Sequence, residues 1–578
     1  MHVSKKKRLI IRQTWVLCLL AVFLLLGGCA GTEPPDQTAA SVPTEPTPPP
    51  TTLVTEPPHH WETGYISSLT PDVLYCDDSG AIRGSFPRGT RVDYEITPEG
   101  KISILLEDEL VYLKGGAVVP DPAQVIPEHT LFVRTAVNLR DAEGRLLETF
   151  ARKGTAVQVL GYDYLLQDGR AHMYRVSCPE GEGQAEGYIM PWYLVTGQEE
   201  ALENYDDGSY AIHAGRGNRY GGGGAADLDY FPREKGEIRG NEMPAECRTL
   251  YIPSWRLVDV DAYLDIANNS GINAFVVDIL DGGSVGYAGD VMNRYCPSGA
   301  AGAQNTVEAY QAAIGKLLDG GYYVIGRITT FHDSSFAQDH PEFAIANTAG
   351  APLRVSGGYW PSPYSREAWQ YKVDLAVEAV ELMGFHEIQF DYVRFPDNTY
   401  RYDKAGTIDY RNAYGETKAQ AIQRFLMYAT DILHDHGVYV SADVFGESAF
   451  TYVTAYGQYW PAISNVVDVI SGMPYPDHFG ASGNWLPWEH PYDTLYSWGQ
   501  SVMARQGETA TPAAVRTWIQ AYNAIQKPYT IYGPNMVGAQ IRALRDTGCT
   551  GGYMTWNASA SLDRYTWLIP AFAPPEEG

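Results

Sequence analysis

An aspartate interrupts an otherwise apolar, strand-like run at residues 386–395, His-Glu-Ile-Gln-Phe-Asp-Tyr-Val-Arg-Phe, and an arginine follows three residues later. An ionised carboxylate is costly to bury unless it is paired, hydrogen-bonded or open to a water-filled cleft. At the carboxyl end of a barrel strand a cleft is expected, so Asp391 is a candidate for two-carboxylate chemistry. A structural ion pair with Arg394 or Arg327 is the alternative, and either arginine could equally hold Asp391 ionised for chemistry.

A second carboxyl group lies on the next predicted strand. Period-two alternation places Gln389 and Asp391 on one face of the first strand, and Ser441 and Asp443 on one face of the second. Adjacent strands lie about 4.8 Å apart, so the two aspartates can approach the ~5–5.5 Å separation of a retaining glycosidase. The separation of an inverting enzyme stays open. Either chemistry needs two carboxyl groups in different environments, one ionised and one protonated.

Further polar and aromatic side chains fall at or beyond the ends of the predicted strands. Aromatic faces beside amide and imidazole donors suit sugar rings, which have apolar faces and hydroxyl rims. The candidate substrate-binding residues are Asp278, Arg327, Gln389, Arg394, Tyr475, His478, Gln520 and Trp556. A structural role is a strong alternative for Asp278 and Asp443, and Arg327, His478 and Gln520 suit scaffolding as well as sugar contact.

The elements that must position these residues alternate between strand-like and helical segments from residue 246 onward, which is typical of βα units. Eight strands with intervening helices in residues 246–575 predict a (β/α)₈ barrel, whose site lies at the carboxyl ends of its strands. An open doubly wound sheet is the alternative. The predicted strands are Leu250–Trp255, Ile272–Ile279, Tyr323–Thr329, Glu387–Arg394, Val438–Phe445, Val467–Met473, Thr517–Tyr522 and Gly552–Asn557.

Two helices of this region carry clear end signals. Ser365 is expected to cap a helix that ends at Gly384. The segment Thr417–His436 is expected to end at Gly437 in the same way.

Three segments carry a resemblance to a known family. They are residues 387–396, Glu-Ile-Gln-Phe-Asp-Tyr-Val-Arg-Phe-Pro, residues 441–446, Ser-Ala-Asp-Val-Phe-Gly, and residues 473–476, Met-Pro-Tyr-Pro. With supporting matches across residues 246–565, this region resembles the glycoside hydrolase domain family known as DUF4015. The resemblance implies a TIM-barrel fold related to amylase-like and other retaining glycosidases.

The resemblance also implies roles for the carboxyl groups. By analogy with amylase-like enzymes, Asp391 on the fourth strand is the nucleophile. The fifth strand of such enzymes carries a glutamic acid as proton donor, where this chain has the shorter Asp443. Glu447, which follows Gly446 in the next loop, is the substitute candidate for the acid.

Residues 1–29 have the features of an export signal. A basic start precedes an apolar stretch that is shorter than the ~20 residues needed to cross a bilayer. The sequence Leu-Gly-Gly-Cys at its end resembles the lipobox of bacterial lipoproteins, which implies cleavage before Cys29 and lipidation of its thiol. An uncleaved signal anchor is the alternative. We expect a lipid-anchored, extracytoplasmic protein at a bacterial cell membrane.

Composition divides the rest of the chain. Residues 30–60 are rich in Pro and Thr and suit a semi-extended tether. Residues 61–120 and 127–196 show the short alternating runs of small β-barrels. The second resembles a bacterial SH3 domain and the first a degenerate copy, which implies binding of cell-wall peptides or glycans. Residues 197–245 suit a linker or a strap on the next domain, and residues 246–575 form the predicted barrel.

Charge and cysteine content argue against several functions. A net charge of −27 disfavours nucleic acid as a partner, because phosphate binding needs clustered Lys and Arg. The cysteines after Cys29 are odd in number and lack CxxC spacing, which indicates neither a disulfide framework nor a zinc site. His434 and His436 have a metal-like spacing, but the last turn of a helix favours a cation there. The predicted chemistry requires no metal and no organic cofactor.

These patterns favour an extracellular glycoside hydrolase that acts on a cell-wall or exogenous polysaccharide through Asp391 and an acid from the fifth strand. A non-catalytic barrel that binds glycan or peptidoglycan is the alternative from another class. Hydrolysis of a different kind of bond stays open, because one fold hosts many chemistries.

Overall fold

The computed structural model describes residues 60–573, apart from residues 69–71, 107–108, 115, 121–128, 165, 167–170, 206–207, 209 and 218. The predicted export signal, Cys29 and the tether through residue 59 lie outside the described residues. Residues 61–578 form one compact unit. Among the described helices, none is long and apolar enough to cross a membrane.

The first part of this unit is a seven-stranded antiparallel sheet in the order β3-β2-β6-β5-β4-β1-β7. Alternating side chains bury a small core that includes Ile66, Val92 and Ile104. The strands are β1 Glu62–Ser67, β2 Asp72–Cys76, β3 Ile82–Pro87, β4 Arg91–Ile96, β5 Ile102–Leu106, β6 Glu109–Lys114 and β7 Ala117–Val119.

A second antiparallel sheet follows, with the order β10-β9-β13-β12-β11-β8-β14. Its buried residues, among them Leu139, Val157 and Val176, belong to the same hydrophobic core as the helices of the next domain. The strands are β8 His129–Val133, β9 Val137–Arg140, β10 Leu146–Ala151, β11 Ala156–Tyr162, β12 Tyr174–Glu180, β13 Gly183–Ile189 and β14 Leu194–Val195. Both sheets are consistent with the predicted SH3-like modules.

The predicted barrel is confirmed: the third sheet is parallel, apart from the short β17, with the order β24-β23-β22-β20-β18-β16-β15-β26-β25. Its strands are β15 Cys247–Ile252, β16 Ala274–Asp281, β17 Ser284–Val285, β18 Tyr323–Thr329, β20 Glu387–Asp391, β22 Tyr439–Phe445, β23 Val469–Met473, β24 Ala514–Val515, β25 Thr517–Gln520 and β26 Gly552–Trp556. A separate two-stranded pair is formed by β19 Ala346–Asn347 and β21 Ile408–Asp409.

One barrel strand is divided into two short segments, β24 and β25, and together they join the two edges of the sheet into a closed barrel. The half β24 pairs with β23, whereas the half β25 pairs with β26. Arg516 lies between the halves, and its backbone N–H donates to the carbonyl of Ile470 at 3.2 Å. The two halves therefore act as one of eight strands around the barrel.

Helices surround the barrel, and the two with clear sequence signals end where predicted. Ser365 Oγ accepts from the backbone N–H of Ala368, and Gly384 ends that helix at φ 78°. Thr417 forms a capping box with Gln420. The helices are α1 Gln198–Leu202, α2 Tyr210–Ala214, α3 Val260–Asn268, α4 Asp290–Tyr295, α5 Pro297–Ala300, α6 Val307–Asp319, α7 Ser334–Asp339, α8 Arg366–Met383, α9 Tyr400–Ala405, α10 Lys418–Asp435, α11 Trp460–Ser464, α12 Pro491–Gln506, α13 Pro534–Thr547 and α14 Leu562–Leu568.

Most predicted strand boundaries differ from the structure by one to three residues, and two of these differences have a clear cause. The predicted strand Glu387–Arg394 ends at Asp391, because Tyr392 adopts φ 50° and leaves the extended conformation. Tyr392 leaves the alternation of the strand, and its ring stacks on that of His332 at 4.8 Å. The first barrel strand ends at Ile252 rather than at Trp255, since a 3-10 turn follows Pro253.

Residues 197–245, predicted as a linker or strap, pack along the barrel. Near one end, Arg219 Nη1 donates to Glu447 Oε1 at 3.0 Å, in the loop that follows β22. Near the other end, Asn241 Nδ2 donates to the carbonyls of His386 and Gly437, which precede β20 and β22. We call residues 197–245 the strap, because it runs from the carboxyl to the amino ends of the barrel strands.

A buried carboxylate on α10 joins the second β-domain, the strap and the barrel. Asp431 Oδ2 accepts from Arg140 Nη2 at 2.6 Å and from the Tyr193 hydroxyl at 2.8 Å, both in the second β-domain. Its other oxygen accepts from Arg233 Nη2 of the strap at 2.6 Å. These contacts hold three parts of the chain in one arrangement.

We expect Asp431→Asn to destabilise the protein strongly, because it leaves Arg140 and Arg233 buried without their counter-charge. Breaking a buried pair in this way costs about 3–5 kcal/mol of unfolding free energy. Urea denaturation followed by tryptophan fluorescence measures the loss. Asp374→Asn is the matched control: its partner Arg294 is 54% exposed, so the loss should stay below about 1 kcal/mol. Equal losses in the two variants would contradict this assignment.

Candidate active site

A single guanidinium lies at the centre of the charged residues inside the carboxyl end of the barrel. Arg327 of β18 is 1% exposed. Its Nη2 and Nε donate to Asp391 Oδ2 at 2.6 and 3.1 Å. Its Nη1 donates to Asp278 Oδ1 at 2.6 Å and contacts Asp281 at 3.3 Å. One arginine therefore holds carboxylates that come from both neighbouring strands.

Strand register explains why these side chains meet. Asp278 of β16 pairs with Arg327 across the sheet, and Asp391 of β20 pairs with Thr329, two residues beyond Arg327. Side chains alternate between the interior and the helices, so Asp278, Arg327 and Asp391 all point inward near the carboxyl end. Gln389, one inward position lower, donates from Nε2 to Met554 Sδ at 3.3 Å. Gln389 therefore lies below the charged residues, in the packed interior.

Both oxygens of Asp391 are engaged. Arg327 occupies Oδ2, and Oδ1 accepts from the backbone N–H of Tyr392 at 2.6 Å. The positive φ of Tyr392 turns the chain at this point. These hydrogen bonds hold the carboxylate in one orientation. Asp391 is 6% exposed.

Asp443 of β22 has a different environment. It is fully buried, and its Oδ1 accepts from Trp518 Nε1 at 2.8 Å. Among the described residues, Oδ2 has no hydrogen-bond partner. Burial and the negative charge of Asp391 raise the pKa of Asp443 well above its usual range. Asp443 is therefore a carboxylic acid that keeps its proton beside an ionised carboxylate.

The loop residue Gln458 ties together the two strands that carry these carboxyl groups. Its Nε2 lies 3.2 Å from the carbonyl of Asp443 and 3.3 Å from that of Val393. Its Oε1 accepts from the backbone N–H of Phe445 at 3.0 Å. This amide fixes the ends of β20 and β22 relative to each other.

Asp278 is the third buried carboxyl group of the cluster. Tyr251 donates its hydroxyl to Asp278 Oδ2 at 2.5 Å, and Arg327 holds Oδ1. Burial outweighs the favourable charge of Arg327, and the nearby Asp281 adds repulsion, so the pKa of Asp278 rises to about 7. Asp278 supports Arg327 from the side opposite to Asp391.

Arg394 was one of two candidate ion-pair partners of Asp391, and the structure shows that it does not pair with this carboxylate. Its Nη1 donates to the carbonyl of Phe395 at 3.0 Å, and its guanidinium lies 4.3 Å from the Phe445 ring centroid. The turn at Tyr392 directs Arg394 away from the barrel axis. Arg327 alone of these two arginines contacts Asp391.

Glu447 lies on the rim of the opening, in a 3-10 turn after β22. Tyr452 and Tyr456 donate hydroxyl hydrogen bonds to its two oxygens, each at 2.9 Å. Arg219 of the strap adds an ion pair at 3.0 Å, and the Glu447 side chain remains 34% exposed. These donors fix the orientation of the Glu447 carboxylate.

The aromatic candidates lie around the opening. The Trp556 ring lies 4.9 Å from the Tyr251 ring and 5.7 Å from the Arg327 guanidinium. Tyr475 is buried, and burial together with the charges of Asp391 and Asp443 raises its pKa well above the usual range.

His478 and Gln520 take different positions. The His478 side chain is 55% exposed, and its ring meets that of Tyr475 edge-on at 5.2 Å. Gln520 is buried: its Oε1 accepts from the backbone N–H of Asp477 at 3.2 Å, and its backbone N–H donates to Gln540. Gln520 is held within the scaffold, whereas His478 is open to solvent.

Sequence reasoning missed Tyr251, Trp518 and Gln458. Tyr251 lies in an apolar run that is typical of a core strand. The alternation that places Gln520 inward also places Trp518 inward, so that signal was available. Gln458 lies in a loop, and its role depends on contacts that a sequence does not reveal.

No group of three or more potential metal ligands occurs among the described residues. The two histidines with metal-like spacing form separate contacts. His434 Nε2 lies 2.8 Å from Asp468 Oδ2, and His436 lies 3.7 Å from Glu381.

The raised pKa of Asp278 predicts a pH-dependent stability difference. Its usual value of 3.8 rises to about 7, so between these values the folded protein holds a proton that the unfolded chain has released. The stabilising contribution is complete below about pH 4 and declines as the pH rises to about 7. Relative to the parent, Asp278→Asn should gain unfolding free energy on the order of a few kcal/mol over this range. Urea denaturation at several pH values measures the difference, and a constant difference would contradict the shift.

Solved structures with a similar chain path include several glycoside hydrolases. A hypothetical protein from Ruminiclostridium thermocellum is 32% identical, with 34% of this chain and 97% of that one covered at a TM-score of 0.28. The PgaB (BpsB) glycoside hydrolase domain from Bordetella bronchiseptica is 13% identical, with 56% and 99% covered at 0.39. The spore cortex-lytic enzyme SleL from Bacillus megaterium is 9% identical, with 58% and 75% covered at 0.35.

No curated protein matches the chain. A family does: residues 249–562 match DUF4015, described as "Putative glycosyl hydrolase domain". The match begins within the first barrel strand and ends in the last helix, so it spans the barrel and every carboxyl group of the site. Since it also covers more than half of the chain, this protein belongs to the DUF4015 family of glycosyl hydrolase domains.

Proposed function

We propose that this protein is a glycoside hydrolase that cleaves a cell-wall or exogenous polysaccharide with two carboxyl groups, Asp391 and Asp443. One observation carries the proposal: adjacent barrel strands place an arginine-bound carboxylate beside a buried carboxyl group that keeps its proton. Glycosidic bond cleavage requires this pairing of an ionised and a protonated carboxyl group.

Asp391 is the ionised partner. It attacks the anomeric carbon in a retaining reaction, or it activates a water molecule in an inverting one. Arg327 keeps it charged and fixes its orientation, and the turn at Tyr392 holds its second oxygen. A nucleophile held on a rigid strand satisfies the demand for a fixed approach geometry.

Asp443 is the proton donor to the leaving oxygen. The raised pKa of Asp443 supports this role. Glu447 is the more exposed of the two and is the alternative acid. The acid role is therefore tested on both residues.

The aromatic rings at the opening suit a sugar ligand. Trp556 and Tyr475 present ring faces or edges near the carboxyl groups, and His478 adds a polar group at the rim. Sugars combine apolar ring faces with hydroxyl groups, so this mixture fits a saccharide.

The amino-terminal sequence supports a location outside the cytoplasm. A lipid on Cys29 would anchor the protein to the membrane, and the Pro- and Thr-rich tether would separate the folded part from the bilayer. The SH3-like modules would then bind cell-wall peptides or glycans, which makes peptidoglycan a candidate substrate or partner.

Replacing Asp391 by Asn should abolish hydrolysis, since the amide is neither a nucleophile nor a base. Release of reducing ends is measured on a panel of bacterial and plant polysaccharides. We expect a loss of at least ~10³-fold. Asp397→Asn is the control on the same loop and should stay near the parent rate. No release from any substrate by the parent, with glycan binding unchanged in the variants, would favour a non-catalytic binding protein.

The identity of the acid is tested with substrates of different leaving groups. An activated aryl glycoside needs little proton donation, so loss of the acid should spare it and impair polysaccharide cleavage by at least ~10²-fold. We expect this selective loss in Asp443→Asn, together with loss of the alkaline limb of the kcat/KM pH profile. The same selective loss in Glu447→Gln, with Asp443→Asn near the parent rate, would transfer the role to Glu447.

A further inference from the structure

A groove lined by four tyrosines lies outside the candidate active site, between the strap and the loops that precede α8 and α10. Its volume is about 610 Å³. Tyr220, Tyr364, Tyr400 and Tyr410 line it, and we call it the tyrosine groove.

The four rings are not equally buried. Tyr220 and Tyr400 are 66% and 58% exposed, whereas Tyr364 is 5% exposed and Tyr410 is half-buried. Two rings thus stand at the edges of the groove and two form its floor. Single exposed rings are ordinary at a protein surface, but several rings that line one groove form a contiguous apolar patch of the kind that marks a binding site.

The strap holds Tyr220 in an unfavourable backbone conformation. Its φ is 50°, in the left-handed region that few residues other than glycine adopt. The Arg219 guanidinium lies 5.3 Å from the Tyr220 ring centroid, and the next turn is fixed because Gly222 accepts a hydrogen bond from Ala419 N–H at 3.0 Å. Such conformations occur where the surrounding structure over-determines them, often at functional positions.

Polar groups edge the floor of the groove. The Tyr410 hydroxyl donates to Asp403 at 3.2 Å, and Lys418 Nζ donates to the Tyr410 hydroxyl at 3.2 Å. Nearby Glu416 is buried between Arg366 and Arg424. Carboxylates and cations alternate, so the groove has no dominant charge and suits a neutral ligand with hydroxyl groups.

The groove adjoins the candidate active site through two residues. Phe395, four positions after Asp391, packs its ring on Tyr364 at 4.8 Å and on Tyr410 at 5.6 Å. Arg219, beside Tyr220, binds Glu447 on the rim of the opening. Both contacts join residues of the groove or its edge to residues near the candidate site.

We infer that the tyrosine groove is a glycan-binding subsite, which stacks neutral sugar rings of a polysaccharide on Tyr220 and Tyr400 while another part of the same chain lies at Asp391. The placement of the same chain at Asp391 rests on the proposed function. The inference adds a substrate class to that function: an uncharged polymer that is also bound at a distance from the bond to be cleaved, rather than a disaccharide.

Binding is tested on the full chain in non-ionic detergent, with Asp391→Asn as background so that no cleavage occurs. Affinity electrophoresis in gels that contain glycol chitin, laminarin, xylan or hydroxyethylcellulose measures retardation. We expect retardation in at least one gel and a rise in Kd of about 10-fold or more when Tyr220→Ala and Tyr400→Ala are combined.

Two controls separate stacking from other effects. The combined Tyr220→Phe and Tyr400→Phe variant keeps the rings and should bind like the background protein. Tyr529→Ala removes a 68% exposed tyrosine from the loop after β25 and should also leave retardation unchanged. Equal retardation of the alanine and parent forms, or none in any gel, would overturn the inference. Failure of the proposed function gives a different result: retardation that depends on the tyrosines, without cleavage of that polymer by the protein with Asp391 intact.

Discussion

The charge arrangement at the carboxyl end of the barrel depends on one buried guanidinium. Arg327 contacts Asp278, Asp281 and Asp391, which would otherwise repel one another in a low-dielectric interior. A lysine could not replace it, because an ammonium group lacks the planar fork that reaches two carboxylates at once. Asp443 receives no hydrogen bond from Arg327, and its burial together with the negative charge of Asp391 raises its pKa, so it keeps its proton. The difference between the two carboxyl groups thus follows from the burial of Asp443 and from the hydrogen bonds that Arg327 donates to Asp391.

The remaining structure keeps that geometry rigid. Gln458 joins the ends of β20 and β22, so the strands that carry Asp391 and Asp443 cannot separate independently. Farther out, Asp431 binds the second β-domain and the strap to α10. Preorganised sites of this kind depend on support that reaches well beyond the reacting groups.

Much of the fold was predictable because strand alternation and helix caps are local properties. Strand alternation places Asp391 on the same face as Gln389, and Asp443 on the same face as Ser441. This pattern was enough to predict that these side chains point into the barrel. The choice between Arg327 and Arg394 was not predictable, since it depends on the positive φ of Tyr392. That conformation reflects the closed barrel around it rather than the preference of a tyrosine. The hydrogen bond of Trp518 to Asp443 likewise joins residues 75 positions apart.

The amino end of the barrel is closed by a buried ion pair. Arg516, in the split strand, donates to Glu387 at 2.7 Å, and Tyr323 donates its hydroxyl to the other oxygen of Glu387 at 3.0 Å. The barrel interior therefore holds two separate ion-pair networks, one near each end of its strands. A substitution at Arg516 or Glu387 would act on the stability of the amino end, whereas one at Arg327 would act on the charges of the candidate site.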